Sequence, residues 1–279
     1  MRLVVLIENK ENDGLKFEHG LSIYLEYNDK KYLLDTGASE KYADNAEKLG
    51  VDLREIDMAF LSHSHYDHSG GFLKLFEMNP AVEVYLQEEA KVPTYKKVGM
   101  SYKYIGIPKG LLENYQRRFK YLEHDCCVDS GVWVLQHKTG NLSERGKKMH
   151  LYRKLKKTFM PDDFSHEQTL IFSMQNGLVV LNSCSHAGAD TIIKEVKKTF
   201  PSKKILALIG GFHLKDYTGE ANTEYMKEEI IHLGDELLKL DVERIITGHC
   251  TGMPAYRLLK EILGSRLLYM ETGLDITIN

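Results

Sequence analysis

An α/β fold is predicted by three features of the chain. Apolar runs of strand length alternate with helical stretches; one such run leads directly into His63-Ser64-His65-Tyr66-Asp67-His68-Ser69-Gly70-Gly71; and later runs end in further histidine-bearing loops. In such folds the loops at strand ends collect on one edge of a sheet, so histidines distant in sequence can meet.

In chain order, residues 2–8 read as a strand and 9–19 as a polar loop. Residues 21–27 and 32–35 read as a hairpin around Asn28-Asp29, a pair suited to a tight turn. The spacing predicts a helix over 39–49, capped by Ser39 and stopped by Gly50, and then the buried strand 56–61 that delivers His63. A short helix over 72–78 stops near Pro80, and 82–86 is strand-like. From about 87 to 166 the periodicity loosens, and this stretch reads as an inserted lid segment within a single domain spanning 1–279. Inside it, 126–136 has strand character, 145–157 is dense in Lys and Arg, and Tyr95, Tyr102, Tyr104, Tyr115 and Tyr121 are expected to pack within the segment. The second half repeats the first. A hairpin of 169–175 and 178–182 turns through Asn176-Gly177, a helix covers 189–200 and a strand 204–209, and a long helix from about Thr223 to Leu240 feeds the strand 244–247. A helix over 254–263 and strands at 266–270 and 274–277 complete the chain.

A length of 279 residues with 43% hydrophobic content allows a sizeable core. The net charge of -3 carries no whole-chain signature of nucleic-acid or membrane binding, and no apolar stretch has the length to span a bilayer. Cys126, Cys127, Cys184 and Cys250 form no paired CxxC motifs, and two are adjacent, which suits free thiols in a reducing compartment. A cytoplasmic protein is expected, with no membrane or nucleic-acid partner and with homodimerisation as a reasonable oligomeric state.

In an extended backbone, side chains two apart point the same way, so His63 and His65 converge on one ion. If the chain then turns into a helix, Asp67 and His68 can hold a second ion, with Gly70-Gly71 permitting the tight path. His186, His213 and His249 each follow a predicted strand, within Ser185-His186-Ala187-Gly188, Gly210-Gly211-Phe212-His213-Leu214 and Gly248-His249-Cys250-Thr251-Gly252. Imidazoles with a carboxylate suit a divalent metal, one or two ions, with zinc first and iron or manganese as alternatives.

These motifs resemble the metallo-β-lactamase superfamily, and more narrowly the branch that includes dihydropterin-ribofuranosylaminobenzene phosphate synthases; Phe164-Ser165-His166-Glu167-Gln168 fits that branch too. The resemblance implies a four-layered αββα sandwich. It also implies that His63, His65 and His186 hold one metal, that Asp67, His68 and His249 hold the second, and that Asp35 orders the ligand loop through hydrogen bonds. The superfamily usually places a bridging aspartate where this chain has His213, and Asp216 lies further into the loop. A carboxylate can bridge two ions, whereas a neutral imidazole has one available lone pair. His213 is therefore expected to bind one ion or to contact a substrate oxyanion. Glu167 is a candidate partner of a ligand, and Cys184 and Cys250, beside proposed ligands, read as small buried residues pointing away from the metal.

Hydrolysis is the expected reaction, with a metal-activated hydroxide as nucleophile and Asp67 orienting the attacking water, so Asp67 and His213 are the catalytic candidates. The expected substrate is a small anionic, phosphorylated molecule, with Lys147, Lys148 or Lys154 of the basic run contacting it. A pterin-related transferase fits equally. The alternatives are a nuclease or phosphodiesterase using the basic insertion, and a non-catalytic pterin- or nucleotide-binding protein.

Overall fold

The first strand, Arg2–Ile7, faces two cores at once: Leu3 and Val5 point to one and Val4 and Leu6 to the other, as the two-residue period of a strand requires. The same division runs through Gln168–Ser173, where Leu170 and Phe172 share the first of these cores while Ile171 joins a third. The chain, seen here as a computed structural model, is described over residues 1–12, 14–214 and 224–279. Asp216, and Thr223 at the expected start of the long helix, lie outside the described residues.

One seven-stranded sheet runs, in spatial order, through Asp275–Thr277, Arg2–Ile7, Ser22–Tyr27, Lys30–Leu34, Met58–Phe60, Glu83–Gln87 and Phe119–Leu122. The other runs through Leu267–Tyr269, Val242–Thr247, Ile205–Ile209, Leu178–Leu181, Gln168–Ser173, Val132–Gln136 and Cys126–Asp129. Their facing sides bury Leu25, Phe60, Val134, Phe172, Leu181 and Ile246 together. The helices Lys41–Lys48 and Phe72–Met78 cover the outer face of the first sheet through Tyr42, Ala46, Phe72 and Leu75. Ala189–Thr199, Glu224–Lys239 and Met253–Leu263 cover the second through Ile192, Ile193, Leu237 and Leu259. The result is the expected αββα sandwich, in which each amphipathic element buries its apolar side. Among the described residues, no helix is long and apolar enough to cross a membrane.

Lys30–Leu34, Met58–Phe60 and Glu83–Gln87 are mutually parallel, as are Leu178–Leu181, Ile205–Ile209 and Val242–Thr247. Parallel strands end on the same edge, which brings Asp35, His63, His186 and His249 to one side of the molecule.

Two readings change. The stretch 87–166 is divided among three sheets. Phe119–Leu122 pairs with Glu83–Gln87 in the first, while Cys126–Asp129 and Val132–Gln136 form a hairpin at the margin of the second. The remainder builds a separate four-stranded sheet from Thr158–Pro161, Leu151–Leu155, Thr94–Val98 and Ser101–Tyr104. Its periodicity is weak because small-sheet strands pack aromatics on each other, as in the parallel stack of Tyr102 on Phe159 at 3.8 Å. The helix expected from Ser39 begins at Lys41, with Glu40 at its N-cap. Ser39 stands one residue before that cap, where its hydroxyl donates to Glu18 Oε2 at 2.5 Å and accepts from the Lys41 amide at 3.3 Å.

Gly70 and Gly71 are required by space more than by backbone angle. A Cβ on Gly70 would lie 2.0 Å from the Ala38 carbonyl oxygen, and one on Gly71 2.4 Å from that of Thr36, with backbone on the far side in both cases. Gly70→Ala should therefore cost more than about 2 kcal/mol in chemical denaturation, and should lower bound metal per chain by elemental analysis. Normal stability in that variant would show that the contact is easily relieved.

Candidate metal centre

His63 and His65 follow the strand Met58–Phe60, and His186 follows Leu178–Leu181 across the sandwich. One ligand atom from each lies within 4.8 Å of the others, and all three Nε2 atoms are buried with no hydrogen-bond partner. The tautomers follow from the opposite ring nitrogens. Ser62 Oγ donates to Asp35 Oδ2 at 2.7 Å, leaving its oxygen to accept from His63 Nδ1 at 2.8 Å. His186 Nδ1 donates to Glu167 Oε1 at 2.8 Å. Both rings thus turn an Nε2 lone pair inward, as a cation site requires.

The second set is Asp67, His68 and His249. Asp67 and His68 lie on the short helix Tyr66–Ser69, the expected turn out of the extended segment. His68 Nε2 lies 3.2 Å from His249 Nε2 and 3.7 Å from Asp67 Oδ2. His68 Nδ1 donates to Asp35 Oδ2 at 2.7 Å, and His249 Nδ1 to Asn9 Oδ1 at 2.8 Å. Two more lone pairs therefore face each other, an arrangement that suits a cation between them. The sets adjoin: the His63 and His68 ring centroids are 4.2 Å apart. The residues present fit one or two divalent ions.

Burial, reinforced by the neighbouring rings, pushes His63, His65 and His249 well below the usual imidazole range, which keeps them neutral and able to bind metal. Burial pulls His68 the same way, but Asp35 and Asp67 outweigh it and raise its pKa.

A chain of charge runs behind His186. Glu167 Oε2 is 2.7 Å from His137 Nε2, and His137 Nδ1 is 2.9 Å from Glu195 Oε2 on the helix Ala189–Thr199. Burial disfavours the charged His137, but the two carboxylates prevail and its pKa is pushed up to about 9. Glu167 is held well below the usual carboxylate range: burial opposes this, and His186 and His137 overcome it.

His213 is in neither three-ligand set described above. Its ring lies 4.4 Å from that of His186, and its ligand atom clusters with the sulfurs of Cys184 and Cys250. Cys184 is buried as expected but does not point away from the centre: its Sγ lies 3.3 Å from His68 Nε2. It stands two residues before His186, and the chain between them turns through Ser185 at φ +50°, so both side chains reach inward. Of the basic run, Lys148 pairs with Glu229 and Lys154 lies over the Phe159 ring, while Lys147 is exposed. Arg145 of the run touches the centre, where its Nε donates to the His186 carbonyl at 2.5 Å.

Several site residues carried no sequence signal. His19 stacks on His249, with ring centroids 5.3 Å apart, and its Nε2 is 3.2 Å from Asp67 Oδ2. Asn9 orients His249, and buried Glu8 accepts from the His249 amide at 2.5 Å. His166, by contrast, lies in the motif Phe164-Ser165-His166-Glu167-Gln168; bonded to Asp162 at 3.0 Å, it accepts from the Ser64 amide and so supports the ligand loop.

Two outcomes follow. Asp35→Asn should lose about 3 kcal/mol of stability and should lower bound metal per chain, read by denaturation and elemental analysis; unchanged values would remove Asp35 as organiser. His137 is charged in the folded chain below about 9 and in the unfolded chain only below about 6.5. Its contribution is complete below the lower value and disappears as pH rises through the higher. Metal-free protein should thus lose on the order of 3 kcal/mol across that window, and His137→Gln should flatten the pH profile.

Residues 15–166 match the family model described as the metallo-beta-lactamase superfamily. A Methanocaldococcus jannaschii protein named 7,8-dihydropterin-6-methyl-4-(beta-D-ribofuranosyl)-aminobenzene-5'-phosphate synthase is 28% identical over 267 residues, covering 88% of this chain and 84% of its own. The crystal structure of a metal-dependent hydrolase of the beta-lactamase superfamily superposes with a TM-score of 0.82 at 29% identity, covering 100% of this chain and 99% of that one. Zinc-bound PqqB from Methylobacterium extorquens shares the fold, with a TM-score of 0.59 at 11% identity over 99% of this chain and 100% of that one. A family model that spans more than half of the chain, on a four-layered sandwich with converging histidines at one edge, places this chain in the metallo-beta-lactamase superfamily.

Proposed function

We propose that the chain is a metal-dependent enzyme that hydrolyses, or transfers a group of, a small anionic phosphorylated substrate. The observation that carries this reading is the pair of adjoining donor sets bordered by the Arg145 guanidinium. The name of the Methanocaldococcus jannaschii relative supports a pterin-linked phosphate ester as the substrate class.

His63, His65 and His186 would hold one ion and Asp67, His68 and His249 the second, with zinc the expected metal. When bound, such an ion polarises a phosphoryl or carbonyl oxygen and makes hydroxide available near neutral pH. Asp67 orients the attacking water through its carboxylate. His19 Nε2 lies 3.2 Å from Asp67 Oδ2, and Asn9 Nδ2 donates to its Nδ1 at 3.3 Å. Half exposed, His19 can pass a proton between that carboxylate and solvent. Arg145 and Lys96, whose positive charges both act on His213, would attract the phosphate, and His213 would contact a substrate oxygen. A cleft of about 330 Å³, lined by Ser64 of the ligand loop with Tyr95, Tyr104, Lys91 and Lys109, has room for an aromatic group and charge at its rim.

Metal-loaded protein should be assayed on phosphomonoesters, phosphodiesters, lactones and thioesters. Turnover of a phosphorylated substrate is expected. Asp67→Ala should lower kcat about 100-fold, and Arg145→Gln should raise KM about tenfold with a smaller effect on kcat. Turnover of none of the four classes by protein carrying its metal would sink the reading.

A further inference from the structure

We propose that Cys184 is a metal ligand, its thiolate shared between the two ion positions at the seam where the two donor sets adjoin. This rests on the metal-centre reading and is independent of the reaction assigned to it. His68 belongs to one donor set and His63 to the other, and the Cys184 sulfur forms with these two a group whose ligand atoms all lie within 4.8 Å. Its sulfur is 3.3 Å from His68 Nε2. That separation is close to those within the second set, 3.2 Å for His68 to His249 and 3.6 Å for His249 to Asp67. Ligands of one ion, each about 2.0 to 2.3 Å from it, stand apart by distances of this order. His63 is fully buried, and its Nε2 has no hydrogen-bond partner, so the thiol shares its surroundings with a donor atom already aimed inward.

The chemistry favours sulfur at this seam. A thiolate carries several lone pairs and can join two cations, whereas each imidazole offers one. On binding, the thiol would release its proton to solvent, and its negative charge would offset part of the double positive charge of two ions among mostly neutral rings. Cys250 is a different case. Its sulfur contacts the Cys184 carbonyl at 3.8 Å and clusters with Cys184 and His213, outside the group that includes His63 and His68. It serves here as the internal control.

The test is reconstitution of full-length, metal-stripped protein with cobalt(II), read by absorption and by cobalt per chain. Wild type should show a thiolate-to-cobalt charge-transfer band in the near ultraviolet. Cys184→Ser should lose the band and bind its second cobalt at least about tenfold more weakly, while Cys250→Ser keeps both. X-ray absorption at the zinc edge of wild-type protein provides a reading that needs no variant, with a sulfur scatterer expected at about 2.3 Å. The proposal is overturned if wild type binds two cobalt ions without the band, if the band survives in Cys184→Ser, or if zinc shows only nitrogen and oxygen neighbours. Failure to bind any cobalt would overturn the metal centre itself. A metal-loaded protein that shows the band yet turns over no substrate would leave the ligand standing and remove only the reaction.

Discussion

The site depends on one buried carboxylate. Asp35 Oδ1 accepts from the Ser62 amide at 2.7 Å, and Oδ2 accepts from Ser62 Oγ, His68 Nδ1 and Ser183 Oγ at 2.7, 2.7 and 2.6 Å. These donors come from the first ligand loop, the second donor set and the loop that carries His186, so a single residue ties both sheets together at the edge where the histidines meet. It also fixes the chemistry: with Ser62 donating to Asp35, His63 must donate to Ser62, and its other nitrogen is left for an ion. Asp35 sits at φ +62°, a strained angle for a residue with a side chain, and its four hydrogen bonds hold it there.

A similar division of labour recurs around the centre. Each ligand ring whose outer nitrogen is engaged has a partner with a fixed position of its own: Glu167 behind His186, Asn9 behind His249, Ser62 behind His63. The carboxylates accept on the outer side while the inner side presents lone pairs. The Glu167 charge stands one residue behind the His186 ring, and burial keeps His63 and His249 neutral and able to bind metal. Arg145 extends this pattern on the His186 side by gripping the backbone of a ligand, which leaves its charge beside the centre.

Much of this was legible in the amino-acid order. The α/β alternation follows from strand periodicity and helical stretches, and the pairs within the donor sets follow from local spacing: two residues apart in His63 and His65, adjacent on a helical turn in Asp67 and His68. The αββα layering and the places of His186 and His249 in those sets were implied by the family resemblance. Asp35 and Glu167 could be singled out because they sit in recognisable motifs. His19, Asn9 and His137 could not, since each acts through a neighbour distant in sequence, and nothing in its own surroundings marks it. Arg145 lies in the marked basic run, but that it, and not Lys147, Lys148 or Lys154, grips a ligand depends on the fold. Cys184 was misjudged because its relation to His186 depends on the turn at Ser185. The boundaries of the loosely periodic stretch were hidden for another reason: Phe119–Leu122 and Val132–Gln136 are short, and their place is decided by the sheet margins they complete.

The crowding around Gly70 and Gly71 bears on how this protein can change over time. A ligand histidine can be exchanged for another donor while the loop keeps its path. At these two positions even one added carbon meets backbone from the segment 36–38. The stricter record of ancestry is therefore written in residues without side chains. A descendant could alter its metal, its substrate or its reaction and still have to retain both glycines, because they hold the space in which any of those chemistries is built.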